Sequence, residues 1–560
     1  MRHRTSAFLT LVFLLLPALG LEAQGAGTAR MGSSASLPES PPPDTLPGKT
    51  NPSQVFLGAF KAILDYHQKT YSDSTLWEEA LDGLIEGLED PYAAVFTPSE
   101  YGEFQEDNTG DYAGIGVQIS RLGERVTITA VFRQTPAEEA GMMVGDRIEE
   151  VDGVDAREWT LDQARDSIRG EVGTIVRVTV ARDGFSEPLT FPIRRDEVHV
   201  SAVTATMVRD SLGYILVDRV ARGSAAEVDS AFGVLRDAKG VILDLRRNPG
   251  GYLVESLNMA DLFLERGDGL ASARSRVPGE PNEVQTDSWQ ARVPARIRGK
   301  PLVVLVDRFT ASAAEIVAGA VQDHDRAVVL GERTFGKGVV QTVLPLPGER
   351  RIRLTTGSWF TPLGRSLHIP RDLNGRPTAD VDPDSIPWVT TPSGRKLRAD
   401  GGIYPDFRVE PDTLKTPEAE LLLAASRAEV PLTLRIAEFS FEEAKRALEG
   451  AGPQELDPRA FDLFVNRLEE DGIPADVLRH PEALSYLDWR ARMAFAQRAE
   501  HQSHALQYQA ERDRALAQAL DLLDGVNTQG DLFAAVKSRS EHGTAEADAG
   551  SPPGIRRDRR

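Results

Sequence analysis

The chain has 560 residues, too many for one hydrophobic core, so several domains are expected. Its formal net charge of −21 disfavours nucleic-acid partners, whose phosphates call for clustered lysine and arginine. It has no cysteine, which excludes zinc fingers, iron–sulfur sites, thiol nucleophiles and disulfide staples.

Arg2, His3 and Arg4 precede an apolar run from Ala7 that is short for a membrane span and is broken by Pro17. With a small-residue cleavage point after Ala23, residues 1–23 read as a signal peptide. The expected location is outside the cytoplasm, periplasmic or secreted; an uncleaved N-terminal anchor is the alternative. Residues 24–52, rich in Gly, Ser, Pro and Thr, read as a disordered linker. Residues 53–109 read as a helical segment: Val55, Phe56, Phe60, Ile63 and Leu64 recur at helical spacing, and Asp73 or Ser74 is the expected cap of a second helix. From 110 to 197 the texture is short strands, with a helix carrying Leu161, Ala164 and Ile168 on one face and ending at Gly170. From 198 to 412, near-continuous apolar strands such as GVILDLR and PLVVLVD alternate with helical runs, predicting an α/β sheet covered on both faces. Residues 413–538 read as a helical extension and 539–560 as a disordered tail.

Four segments could carry chemistry. Ser312 follows the strand PLVVLVD and opens a helix, where a backbone N–H and the helix terminus stabilise developing negative charge. The same residues, Ser312 to Glu315, also fit a capping box. Lys337 sits between two glycines ahead of a strand. With Val339 and Gln341 on one face of that strand, a buried Lys337 amine could accept a serine proton, whereas an exposed strand-end lysine is the plainer alternative. In Asn248-Pro249-Gly250-Gly251 the glycines either present N–H groups to a ligand or simply turn the chain. Gly114-Ile115-Gly116-Val117 could cradle a peptide carboxylate while the adjacent strand pairs with an extended peptide.

Taken together, these segments resemble the C-terminal processing (tail-specific) serine proteases that carry a PDZ domain. The resemblance spans about residues 55–412. It includes GIGVQI, PAEEAGMMVGDRIEEVDG, SIRGEVGT, LDLRRNPGGYL, TASAAEIVAGAVQDHDRAVVLGERTFGKGVVQ, FTPLGRSL and GGIYPDF. It implies an α/β multidomain chain: an N-terminal helical segment, a PDZ-like β domain at 110–197, an α/β (ClpP/crotonase-like) protease core at 198–412 and a helical C-terminal extension. It also implies that Ser312 is the nucleophile, Lys337 the general base and Gln341 its positioner. The N–H groups of Gly250 and Ala313 would form the oxyanion hole, with Gly251 as a substitute for Gly250. Gly114, Ile115, Gly116 and Val117 would bind peptide, and Arg169 would couple PDZ docking to the active site. Asp323 matches an acidic position proposed as a charge relay; read on its own, it is a helix-end carboxylate that holds structure. No metal or cofactor is implied, and the partners are protein or peptide substrates with accessible C-termini. The extension offers either self-association, an adaptor contact or packing on the core. Residues 370–400 depart from the family pattern as a polar, Pro-rich insertion expected at the surface near the site. Two rival readings stay open: a histidine base, His324 or His368, and a non-catalytic PDZ adaptor of the same fold. Around His324 the Asp-His-Asp run lacks zinc-ligand spacing and reads as a solvated turn.

Overall fold

The computed structural model describes residues 51–280, 282–378, 382, 385–448, 455–499 and 502–549, with side chains to residue 539. The expected signal peptide and nearly all of the expected linker lie outside these residues. Residues up to Leu76 form a unit of their own. It holds helix Pro52–Tyr66, capped by the Asn51 side chain, and the start of helix Asp73–Glu86. The cap of that second helix is Ser72, one residue earlier than expected, because its hydroxyl accepts the Thr75 N–H at 3.1 Å.

The second unit is built on a six-stranded sheet. Its order is Val203–Val208, Leu212–Val217, Gly240–Asp244, Leu302–Val306, Val328–Gly331 and Phe407–Arg408. All neighbours are parallel except the first pair. The central strands are apolar on both faces, as a doubly covered sheet requires. Ile215, Leu243 and Val304 face helices Ser224–Val234, Leu253–Asp261 and Ala313–Asp323. Tyr214, Ile242 and Val303 face Leu516, Leu520 and Leu523 of helix Arg514–Asp524 in the C-terminal extension. The extension therefore completes the α/β core by covering the second face of its sheet.

A second sheet carries the loop with Lys337. Strand Arg351–Phe360 pairs with Ala94–Phe96, Gly269–Arg276 and Val339–Pro345. Ala94–Phe96 is a strand inside the segment expected to be helical; three residues are too few to show a period.

The PDZ-like module has its own core of Ile115, Ile128, Ile148, Val178 and Ile193, among others. Its helix Leu161–Ile168 has a Thr160 capping box and ends at Arg169, which turns to extended backbone, rather than at Gly170. An antiparallel ribbon, Asp111–Gly114 against Asp196–His199, brackets the module where the chain enters and leaves it. At the other end of the chain, helix Gln529–Ala549 carries on past residue 539, where the sequence reading places a disordered tail. Alanine and glutamate in that stretch favour helix.

Candidate active site

The strand Leu302–Val306 delivers the chain to a tight turn at Asp307–Ser312. Asp307 accepts the Phe309 and Thr310 N–H groups, and the Thr310 hydroxyl donates to the Leu245 carbonyl at 2.9 Å. Ser312 then adopts φ 55° and ψ −118°, a conformation that costs a non-glycine residue about 1–3 kcal/mol. The Ser312 N–H donates to the Glu315 carboxylate at 2.8 Å, and the Glu315 N–H donates to the Ser312 carbonyl at 2.9 Å. Neither bond uses the Ser312 hydroxyl.

Glu315 is fully buried and joins the Ser312 and Lys337 segments. One oxygen accepts the N–H groups of both Ser312 and Lys337, each at 2.8 Å, so these two amides lie no more than twice that distance apart. The other oxygen accepts the Gly336 N–H at 2.8 Å and the Thr334 hydroxyl at 2.5 Å. All four partners donate, which suits an ionised carboxylate. Burial pushes its pKa up, and these donors oppose that shift. The sequence reading took Glu315 only as a helix cap. A lone acid within the apolar helix AAEIVAGAV was the available signal for more.

Lys337 lies in the loop ahead of the strand, not on it, and the ladder is irregular between Val340 and Gln341. Strict alternation therefore does not describe this segment. The side chains of Lys337 and Gln341 meet nonetheless: Nζ donates to Gln341 Oε1 at 2.8 Å. Gln341 Nε2 donates to the Tyr92 carbonyl at 2.7 Å, which fixes the amide orientation. Lys337 Nζ also stands 4.6 Å from the centre of the Tyr92 ring. Burial, aided by the charge of Arg353, pushes the lysine pKa down to about 8.

The Gly250–Gly251 turn packs against Ser312. A Cβ on Gly250 would stand 2.8 Å from the Ser312 Cβ and 2.9 Å from the Ala313 nitrogen. The Gly250 N–H donates to Asn248 Oδ1 at 2.9 Å. The N–H groups of Gly251 and Ala313 have no hydrogen-bond partner among the described residues.

Asp323 is not brought to this site. It ends the eleven-residue helix that Ser312 begins, ~16 Å away at 1.5 Å per residue. There it pairs with the buried Arg365 at 2.6 Å and accepts the Leu363 N–H. The Asp-His-Asp turn is not solvated as expected: Asp323 is buried, Asp325 pairs with Arg395, and His324 bonds the Gly269 carbonyl. His368 lies nearer, 6.5 Å from Tyr92 between ring centres, and burial pushes its pKa down. The insertion begins close to the site. Arg371 donates to the Phe335 carbonyl at 2.6 Å and lies over the Phe335 ring.

In the PDZ-like module, Gly114, Ile115, Gly116 and Val117 line a groove of about 600 Å³ with Tyr112, Leu161 and Ile168. Gly116 has φ 86°, and a Cβ there would strike Thr135 at 2.3 Å, so only glycine fits. The Ile115 and Gly116 carbonyls accept from Ala137 and Phe132. Arg169 stacks on Tyr112 and pairs with Glu106.

Comparison with known proteins identifies the family. A family model described as peptidase family S41 matches residues 211–375, and a PDZ domain model matches residues 127–182. A carboxy-terminal-processing protease of Bartonella bacilliformis is 34% identical over 314 residues, covering 55% of this chain and 70% of that protein. The chain belongs to peptidase family S41. A probable CtpA-like serine protease of Staphylococcus epidermidis is 33% identical over 306 residues, covering 54% of this S41 peptidase and 60% of its relative. A solved photosystem II D1 C-terminal processing protease aligns at 27% identity and a TM-score of 0.32, over 60% of this chain and 95% of that one. Among the described residues of the S41 peptidase, no helix is long and apolar enough to cross a membrane.

Proposed function

We propose that this chain is a serine endopeptidase that captures the C-terminal region of exported protein substrates in its PDZ-like groove and cleaves peptide bonds with Ser312 and Lys337. The observation that carries the reading is that one Glu315 oxygen holds the amides of a strained Ser312 and of a lysine of lowered pKa. A retained dyad favours catalysis over a purely adaptor role. The export part rests on the basic start and apolar run at the N-terminus.

A substrate tail adds as a strand beside Val117–Leu122, with its carboxylate at the Gly114–Val117 loop. Neutral Lys337 donates one hydrogen to Gln341 and keeps its lone pair for the Ser312 proton. As that proton moves to Nζ, Oγ bonds the substrate carbonyl carbon. The oxyanion rests on the Ala313 N–H and on the glycine turn; Gly250 is already bonded to Asn248, so Gly251 supplies the open donor. The C–N bond then breaks and the amine leaves with the proton from Lys337. Water attacks the acyl-enzyme, Lys337 takes its proton, and Ser312 regains a hydrogen.

The test is proteolysis of an unfolded model protein with a free apolar C-terminus. Cleavage should vanish in Ser312→Ala and Lys337→Ala with folding intact. Because the neutral lysine is the base, wild-type kcat/KM should rise as pH rises through about 8. Retained activity in Lys337→Ala would sink the reading.

A further inference from the structure

The C-terminal extension covers the sheet with its last helices, but its helix Leu432–Leu448 does something else. One side of this helix joins a helical core with Leu421, Phe464, Leu487 and Phe495. Its other side meets the PDZ-like module at the ends of three strands. Glu438 Oε1 accepts the Gly123 N–H at 2.6 Å, in the turn that follows the groove strand. Lys445 Nζ pairs with Asp183 at 3.0 Å, and Asp183 also pairs with Arg147 at 2.9 Å. Lys445 lies so close to Gly145 that a Cβ there would stand 3.0 Å from Nζ. Phe441, 4% exposed, and Leu122 line the space of about 260 Å³ between the two parts.

The chemistry of this seam sets it apart. Among the described residues, none of the extension joins the module's apolar core and none of the module joins the extension's. Lys445 is mostly covered, whereas Asp183 keeps about half its surface in water. Exposed ion pairs are worth about 0–1 kcal/mol each and weaken with salt. Such a contact can open without unfolding either partner. None of the seam residues named above lines the peptide groove, so the contact leaves that groove clear.

We propose that helix Leu432–Leu448 is a releasable clamp that fixes the position of the PDZ-like module, with Glu438, Phe441 and Lys445 as its contact residues. Closed, it holds the groove in one place relative to the protease core, so that a captured tail is presented to Ser312. Open, it leaves the module tethered by its ribbon. The delivery role rests on the peptidase reading above; the clamp itself does not.

The absence of cysteine gives a direct test. Spin labels at Val154→Cys on the module and Leu463→Cys on the extension, both exposed in the native chain, report their separation in the full-length protein. The distance distribution should be narrow in the parent and at least twofold broader in Lys445→Glu, with Lys445→Gln between them and an unchanged melt for both. An unchanged distribution in Lys445→Glu would overturn the clamp. In parallel, kcat/KM is measured for a protein ending in a free apolar tail and for a short peptide lacking it. Lys445→Glu should lower the tailed-to-short ratio at least threefold and leave the short peptide unaffected. An unchanged ratio beside a broadened distribution would overturn the delivery role. Broadening in a chain that cleaves neither substrate would uphold the clamp while failing the peptidase reading.

Discussion

The extension and the PDZ-like module are both attached to the protease sheet, and they are attached by different physics. Extension residues Leu516, Leu520 and Leu523 share one apolar cluster with Tyr214, Ile242 and Val303 of the sheet. The PDZ-like core closes on itself, and no described residue outside 115–193 belongs to its buried cluster. It is held by polar straps, Lys445 to Asp183, Arg169 to Glu106 and His199 to Glu227, with Phe441 buried beside the first. Apolar burial scales with area and is hard to undo locally, whereas surface ion pairs are individually small and tunable. The first attachment makes a permanent body and the second a movable part.

The largest effect that would test this contrast lies in the apolar seam. Leu520→Ala should cost about 2–5 kcal/mol in urea unfolding, with sheet and extension lost together. Separate transitions for the two would mean that they are not one body.

A smaller effect is expected at His199, whose ring bridges Asp111 on the ribbon (2.6 Å) and Glu227 on a core helix (2.8 Å). Asp218, itself paired with Arg219, lies near Glu227. With a carboxylate at each nitrogen, the imidazolium is the form that donates to both. The Asp111 hydrogen bond, helped by Glu227, holds its pKa above 6.5 against partial burial. The strap is therefore fully present below pH 6.5 and is lost as pH rises through the raised value. His199→Gln should cost no more than about 1 kcal/mol at pH 5.5, since the ring is about half exposed, and nothing by pH 9. A pH-independent difference would remove the ionic strap from the account.

The smallest effect comes from salt alone. Raising NaCl from about 0.05 to 0.5 M shortens the screening length from about 14 to 4 Å. Amide exchange at Gly123 should quicken several-fold while strand Leu302–Val306 is unaffected. Equal changes in both would erase the distinction.

The sequence exposes the apolar half of this design more readily than the polar half. Runs such as GVIL and LVVLV announce buried parallel strands because every position lacks a polar side chain. The turn at Ser312 and the loop at Lys337 are legible for a related reason: each hangs on such a strand or on glycines. The helices after residue 502 show an apolar stripe but not which surface it covers, since a stripe is complementary to any other. Glu315 and Asp323 illustrate the same gap. Both are acids of one helix and both are buried, yet one collects four donors around the dyad while the other pairs with Arg365. Charge and spacing do not separate them, because the partners come from residues 334–337 and 365, brought close only by the fold.

The single carboxylate oxygen that receives the amides of Ser312 and Lys337 also makes the site a gauge of completed assembly. The two residues belong to different segments, and nothing local draws them together. A chain in which the second sheet has not yet docked would leave Glu315 short of three of its four donors and the lysine in water with an ordinary pKa. Such a chain would have a hydroxyl and an ammonium but no base. On the proposed mechanism, a half-folded copy would therefore not cleave its neighbours.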